Sequence, residues 1–195
     1  MQHVATVDKS TPYSGISIGK FAMWLFLASE VMFFTGLIGS YIVLRAGAID
    51  WPIPSHELNI PLTAFNTFIL ICSSVTMVRA LYAIQKGELK AFKQNLLFTV
   101  IGGTFFLSVQ AFEYTKLLGE GLNPHRDLFG ATFFTLTGFH GAHVTAGVIT
   151  LLILYLKALR GNYTQENHDA IEYAGLYWHF VDLVWILLFT IVYLI

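Results

Sequence analysis

The chain has 195 residues, of which 55% are hydrophobic and 12% charged, with a mean hydropathy of +0.64. A charged fraction about half the ~25% of an ordinary globular domain excludes a soluble enzyme or binding module and points to an integral membrane protein. The net charge of -1 leaves no footprint for a nucleic-acid partner, and a single cysteine, Cys72, excludes an intrachain disulfide.

Met1 to Gly19 carries Asp8, Lys9 and Pro12 and has no apolar core before a small-residue cleavage site, so the first apolar span is expected to insert and remain. Five apolar segments follow, at Ile18–Leu44, Pro61–Gln85, Asn95–Leu117, Leu128–Leu156 and Ala174–Ile195. Each is near or above the ~20 residues that a helix needs to cross a bilayer. Asp50-Trp51-Pro52-Ile53-Pro54, Lys86-Gly87-Glu88 and Gly119-Glu120-Gly121-Leu122-Asn123-Pro124 separate the first four, and Gly161 and Asn162 end the fourth. Loops this short make consecutive helices antiparallel neighbours. The expected fold is therefore all-α: one membrane bundle of five transmembrane helices over residues 1–195, with no separate soluble domain. Trp51 falls near a predicted interface, where an aromatic belt would place it. Cys72, inside the second span, reads as a small buried hydrophobe.

Orientation follows from the eleven Lys and Arg residues. Lys9, Lys20, Arg79, Lys86, Lys90, Lys93, Lys157 and Arg160 lie on the side of the N-terminus, against Arg45, Lys116 and Arg126 on the other. The positive-inside rule then predicts a cytoplasmic N-terminus and an outer C-terminus.

Ionisable residues within the spans are costly and need partners inside the protein. Glu30 falls roughly 17 Å into the first span at 1.5 Å per residue, close to the midplane. A carboxylate there is protonated, hydrogen-bonded or beside water. In the fourth span, Thr132 to Gly147 holds His140 and His143 about one turn apart. In the fifth, His179 and Asp182 share a face at i,i+3 spacing. Counting rises puts His143 roughly 21 Å and Asp182 roughly 15 Å deep. Glu30, His140, His143, His179 and Asp182 are thus expected to form one buried polar cluster, or two pairs.

A metal or haem site fits these residues poorly. His140 and His143 lie on one helix and cannot clamp one haem iron from both sides. His3, His56, His125 and His168 are scattered over loops, which suits no di-iron oxygenase, and zinc at His140 and His143 needs further ligands to converge. Gly138, Gly141, Ala142 and Thr145, and likewise Gly36, Gly39 and Ser40, form small-residue faces expected to pack helix on helix. Glu113 comes late in the third span, as a carboxylate near the outer interface. Lys157 and Arg160 close the fourth span, where they either snorkel or hold an anionic lipid phosphate.

Four segments together resemble subunit III of cytochrome c oxidase, in its short five-helix prokaryotic form. They are Ser29-Glu30-Val31-Met32-Phe33-Phe34-Thr35-Gly36; Gln110-Ala111 with Glu113-Tyr114; Thr132-Phe133-Phe134 with Gly138-Phe139-His140-Gly141-Ala142-His143-Val144; and Tyr177-Trp178-His179-Phe180-Val181-Asp182-Leu183-Val184-Trp185. The likeness runs in order from about Phe21 to Ile195. It implies an accessory subunit of an aa3-type haem-copper oxidase in a prokaryotic cytoplasmic membrane, holding no cofactor in this chain, with haem and copper in its partners. Those partners would be subunit I, by direct contact, and subunit II. The subunit would support proton uptake and protect the active site from turnover inactivation. Glu30 matches the family's membrane-embedded glutamate, and Lys157 and Arg160 fall where the family contacts phospholipid head groups. The family's long form has two further spans before the one that bears Glu30. Related five-span subunits of quinol oxidases and nitric oxide reductase systems are the alternative. An independent proton or solute pathway on Glu30, His143, His179 and Asp182 would need a broken helix or an inverted repeat, and the sequence shows neither.

Overall fold

The computed structural model describes residues 17–52 and 58–195. His3, Asp8, Lys9, Pro12, Ile53, Pro54 and His56, named above, lie outside these residues. Five long helices make up the fold: α1 (Ile18–Gly47), α2 (Ile60–Gln85), α3 (Leu89–Gly119), α4 (Leu128–Leu159) and α5 (Asp169–Leu188), the last continuing as a π-helical segment at Phe189–Leu194. Each holds an apolar window long enough to cross a membrane. Two begin earlier than hydropathy places them, α3 at Leu89 rather than Asn95 and α5 at Asp169 rather than Ala174. The added turns carry Lys90, Lys93, Asp169 and Glu172, whose charges lower the hydropathy without preventing a helix.

The boundaries are set by local chemistry. Ser17, Asn59 and Asp127 cap α1, α2 and α4, their side chains accepting from the N–H groups of Lys20, Leu62 and Gly130. Gly87, Gly121 and Gly161 take φ of 78°, 89° and 79° just past the ends of α2, α3 and α4, a conformation that costs glycine little. Asp127 has two donors at 2.6 Å, the Gly130 N–H and Arg126 Nε. Burial of this carboxyl opposes its ionisation, but the two donors and the Arg126 charge outweigh it and hold its pKa below the usual carboxylate range. A folded pKa below the unfolded one gives stability that is full above the unfolded value of ~3.9 and lost as pH falls through the folded value. Asp127→Ala is expected to cost about 1 kcal/mol of stability at neutral pH and nothing in strong acid, read from thermal melts across that range.

The bundle is built around α5, which packs against α1, α2 and α4, while α3 bridges α2 and α4. Expectation and structure differ at the first pair of helices, because α1 packs on α5 and α4 and not chiefly on α2. The connection over residues 48–59 is long enough to cross the end of the bundle, unlike the turn at 86–88 that forces α2 and α3 together.

Trp178 occupies the centre, fully buried, with the backbones of two neighbouring helices drawn close around its ring. A Cβ on Gly103 of α3 would stand 2.5 Å from Trp178 Cη2, and one on Gly147 of α4 2.8 Å from Cζ3. Both positions admit no side chain without a shift. The faces expected to pack are open: nothing lies within 4 Å of a Cβ placed on Gly36, Gly39 or Gly141, and on Gly138 the nearest atom is Tyr114 Oη at 3.8 Å. Cys72 is likewise exposed, contrary to its reading as a buried hydrophobe. Both corrections have one cause, since lipid is as apolar as a protein core and hydropathy does not tell an outward face from an inward one.

Candidate functional site

The predicted polar residues do not meet in one cluster. Successive residues of a helix point about 100° apart, so His140 and His143 diverge by roughly 60° and serve different neighbours. His143 turns to α1, where its Nε2 lies 3.0 Å from Glu30 Oε2. Its Nδ1 stands 2.7 Å from the Phe139 carbonyl, which only accepts, so Nδ1 carries a proton. The contact with Glu30 then shares one further proton, and the pair is neutral overall whichever side holds it. The side chains of Glu30 and His143 are 18% and 19% exposed, and Phe33 and Phe34 flank the imidazole. Tyr177 of α5 donates to the His143 carbonyl at 3.0 Å, tying the third helix to the pair.

His140 turns inward instead. It is 1% exposed, its Nε2–H reaches the Val181 carbonyl of α5 at 3.2 Å, and its ring lies 4.7 Å from that of Trp185. His179 and Asp182 face α2. His179 Nδ1 meets Ser74 Oγ at 2.5 Å. Asp182, 4% exposed, sits beside Ser74, and among the described residues neither of its oxygens reaches a hydrogen-bond partner. Its expected grouping with Glu30 and His143 is therefore corrected: the α5 face that carries it looks away from α1, toward α2. The indoles of Trp178 and Trp185 complete this seam, donating to Ser73 and Thr67 of α2 at 3.1 and 2.9 Å.

Hydropathy gives no sign of these serines and threonines as partners, because small hydroxyls are common on any membrane helix. It also misses Lys20–Glu172, a 2.5 Å ion pair joining the starts of α1 and α5, with Ser17 and Tyr173 bonded beside it at 2.8 Å. Glu113 is not at an open interface but buried, accepting or sharing protons with Thr63 and Tyr193. Lys157 and Arg160 are exposed at the end of α4. At the same end, α1, α4 and α5 enclose an apolar slot of about 420 Å³ lined by Met23, Phe26, Leu154, Tyr173 and Tyr177 among others.

What these contacts can do is limited and specific. Among the described residues no three His, Cys, Asp or Glu side chains converge as a metal site. One ring nitrogen of each of His140, His143 and His179 instead reaches a group on another helix, while among the described residues His140 Nδ1 has no hydrogen-bond partner.

Comparison with known proteins decides the family. Residues 9–195 match the family described as Cytochrome c oxidase subunit III. The chain belongs to the cytochrome c oxidase subunit III family. It is 37% identical over 197 residues to "Cytochrome c oxidase subunit 3" of Corynebacterium diphtheriae, covering 100% of this chain and 93% of the relative. It is 38% identical over 181 residues to "Probable cytochrome c oxidase subunit 3" of Mycobacterium tuberculosis, covering 92% and 88%. The match to "Cytochrome c oxidase subunit 3" of Thermostichus vulcanus is 36% over 172 residues, covering 88% and 84%. As a subunit III the chain is part of an oxidase complex of the respiratory chain, and its five spans make it a multi-pass membrane protein.

Proposed function

We propose that this chain is the accessory subunit III of an aa3-type cytochrome c oxidase in a prokaryotic cytoplasmic membrane, with its N-terminus in the cytoplasm. It packs directly on catalytic subunit I, in a complex that also holds subunit II, binds no redox centre itself and supports proton uptake during oxygen reduction. The observation that carries this reading is the near full-length family match combined with the way the buried histidines are spent. His140 bonds Val181, His143 Glu30 and His179 Ser74, contacts that fit a helix-joining role, and the ligation of haem and copper is assigned to partner subunits. Lys157 and Arg160, beside the apolar slot of α1, α4 and α5, support a bound phospholipid, with the cations holding the phosphate and the slot an acyl chain.

The test compares the intact oxidase with the same complex stripped of this chain. Haem content and initial turnover are expected to stay close to those of the intact enzyme, while proton uptake slows and activity decays within fewer turnovers. Equal proton uptake and equal lifetimes in the two preparations would refute the proposed role.

A further inference from the structure

Many helix hydroxyls of this bundle share one habit. Thr67, Thr104, Thr137, Thr145 and Thr150 each donate to the carbonyl four residues back, at 2.6 to 2.9 Å. Thr76 and Thr99 depart from it, since both lie near carbonyls of their own helices and still stand 2.8 Å apart, so one of the two gives its proton across. A hydroxyl holds one proton, so once that proton is spent within its own helix only lone pairs face the neighbours. Any group bonded from another helix must then bring a proton of its own.

Two contacts in the α2–α5 seam obey this rule without ambiguity. Thr67 donates to the Thr63 carbonyl at 2.7 Å and Ser73 to the Leu70 carbonyl at 2.6 Å. Their partners from α5 are the Trp185 and Trp178 indoles, which can only donate.

Thr63 stands in the same arrangement with a different partner. Its Oγ1 lies 3.0 Å from the Asn59 carbonyl and 3.0 Å from Glu113 Oε1. An ionised carboxylate accepts only, so both contacts would compete for one proton; a carboxylic acid donates, and both are made. The second oxygen, Oε2, receives the Tyr193 O–H at 3.3 Å. With Oε1 donating to Thr63 and Oε2 accepting from Tyr193, Glu113 would be a neutral acid. Among the described residues, the groups that face Glu113 are Thr63 of α2, Tyr193 of the π segment and Lys116 one turn along α3; Tyr114 stands behind Tyr193, against which α4 sets the Phe133 ring. Lys116, the cation of this set, is paired with Glu120 at 3.6 Å. Glu113 is 4% exposed, yet it lines a recess of about 160 Å³ with Asn59, Leu62, Lys116 and Glu120. That is room for several waters.

We propose that Glu113 is a proton-binding site: a neutral carboxylic acid that donates to Thr63 and exchanges its proton with water through the recess at the Lys116–Glu120 end of the bundle. It is a separate site from the Glu30–His143 pair, and it does not depend on the function proposed above.

Infrared spectra of the full chain in its membrane complex at neutral pH test this directly. Glu113→Gln keeps both contacts, its amide donating to Thr63 and its carbonyl accepting from Tyr193, and is expected to remove one carboxylic-acid carbonyl band. In the unsubstituted protein that band shifts in D2O while the bundle stays folded. Thr63→Val, which takes away the acceptor without touching the acid, moves the same band to higher frequency, and it stands in if the glutamine variant fails to assemble. A carboxylic-acid region unchanged by both variants, or a band that resists deuterium until the bundle unfolds, overturns the proposal.

Discussion

Trp178→Ala is expected to destabilise the bundle by about 3–5 kcal/mol, the range for removing a large aromatic from a packed core. The ring is fully buried, and the backbones of α3 and α4 approach it at Gly103 and Gly147, where there is no side chain to fill the space it leaves. The substitution also takes the indole N–H from Ser73, which has already spent its own proton on the Leu70 carbonyl. In a membrane the hydrophobic effect does not drive helices together, and association rests on packing and hydrogen bonds of this kind. Thermal unfolding in mild detergent reads the effect. A loss below about 1 kcal/mol, at the bottom of the range for core truncations, would show that α5 is not the packing centre.

Glu30→Ala is expected to cost about 1 kcal/mol, the low end of the range for leaving a polar atom without its partner, because the site is part-buried. The stranded atom is His143 Nε2, because Nδ1 is already committed to the Phe139 carbonyl. Glu30→Gln separates geometry from charge. Its amide N–H donates to the neutral imidazole in the place of a protonated glutamate, so stability returns close to that of the parent. Melting temperature and the yield of assembled complex are the measurements. An alanine variant that melts and assembles like the parent would remove any structural role for the pair.

The comparable depths of Glu30, His143 and Asp182 were legible in the sequence, because rise per residue assigns them, but depth alone did not say that His143 and not Asp182 would meet Glu30. Rotation about the helix axis was not legible to the same degree. His179 and Asp182 share a face, but which helix that face meets depends on the order of packing around α5, and the long 48–59 connection frees α1 from α2. Gly36, Gly39 and Gly141 look no different in sequence from Gly103 and Gly147, although only the second pair lies against a neighbour. Spans and turns were readable for the opposite reason, since charge, glycine and proline mark the ends of membrane helices whatever lies beside them. Tyr193 is a further case. The π-helical last turn of α5 buries both Val192 and Tyr193 and carries the phenol to Glu113, and no residue pattern in Phe189–Leu194 announces that wider turn.

On the proposed reading, the redox chemistry of the complex belongs to other subunits, and His140, His143 and His179 join this chain's helices. The most direct measurement is to purify the complex through this chain, identify what accompanies it, then separate the chain and determine its metal content and visible spectrum. The account predicts haem- and copper-bearing partners in the complex, and no Soret band and no stoichiometric iron or copper on the separated chain. Iron or copper ligated by this polypeptide, or a chain that purifies without a haem-bearing partner, would contradict it.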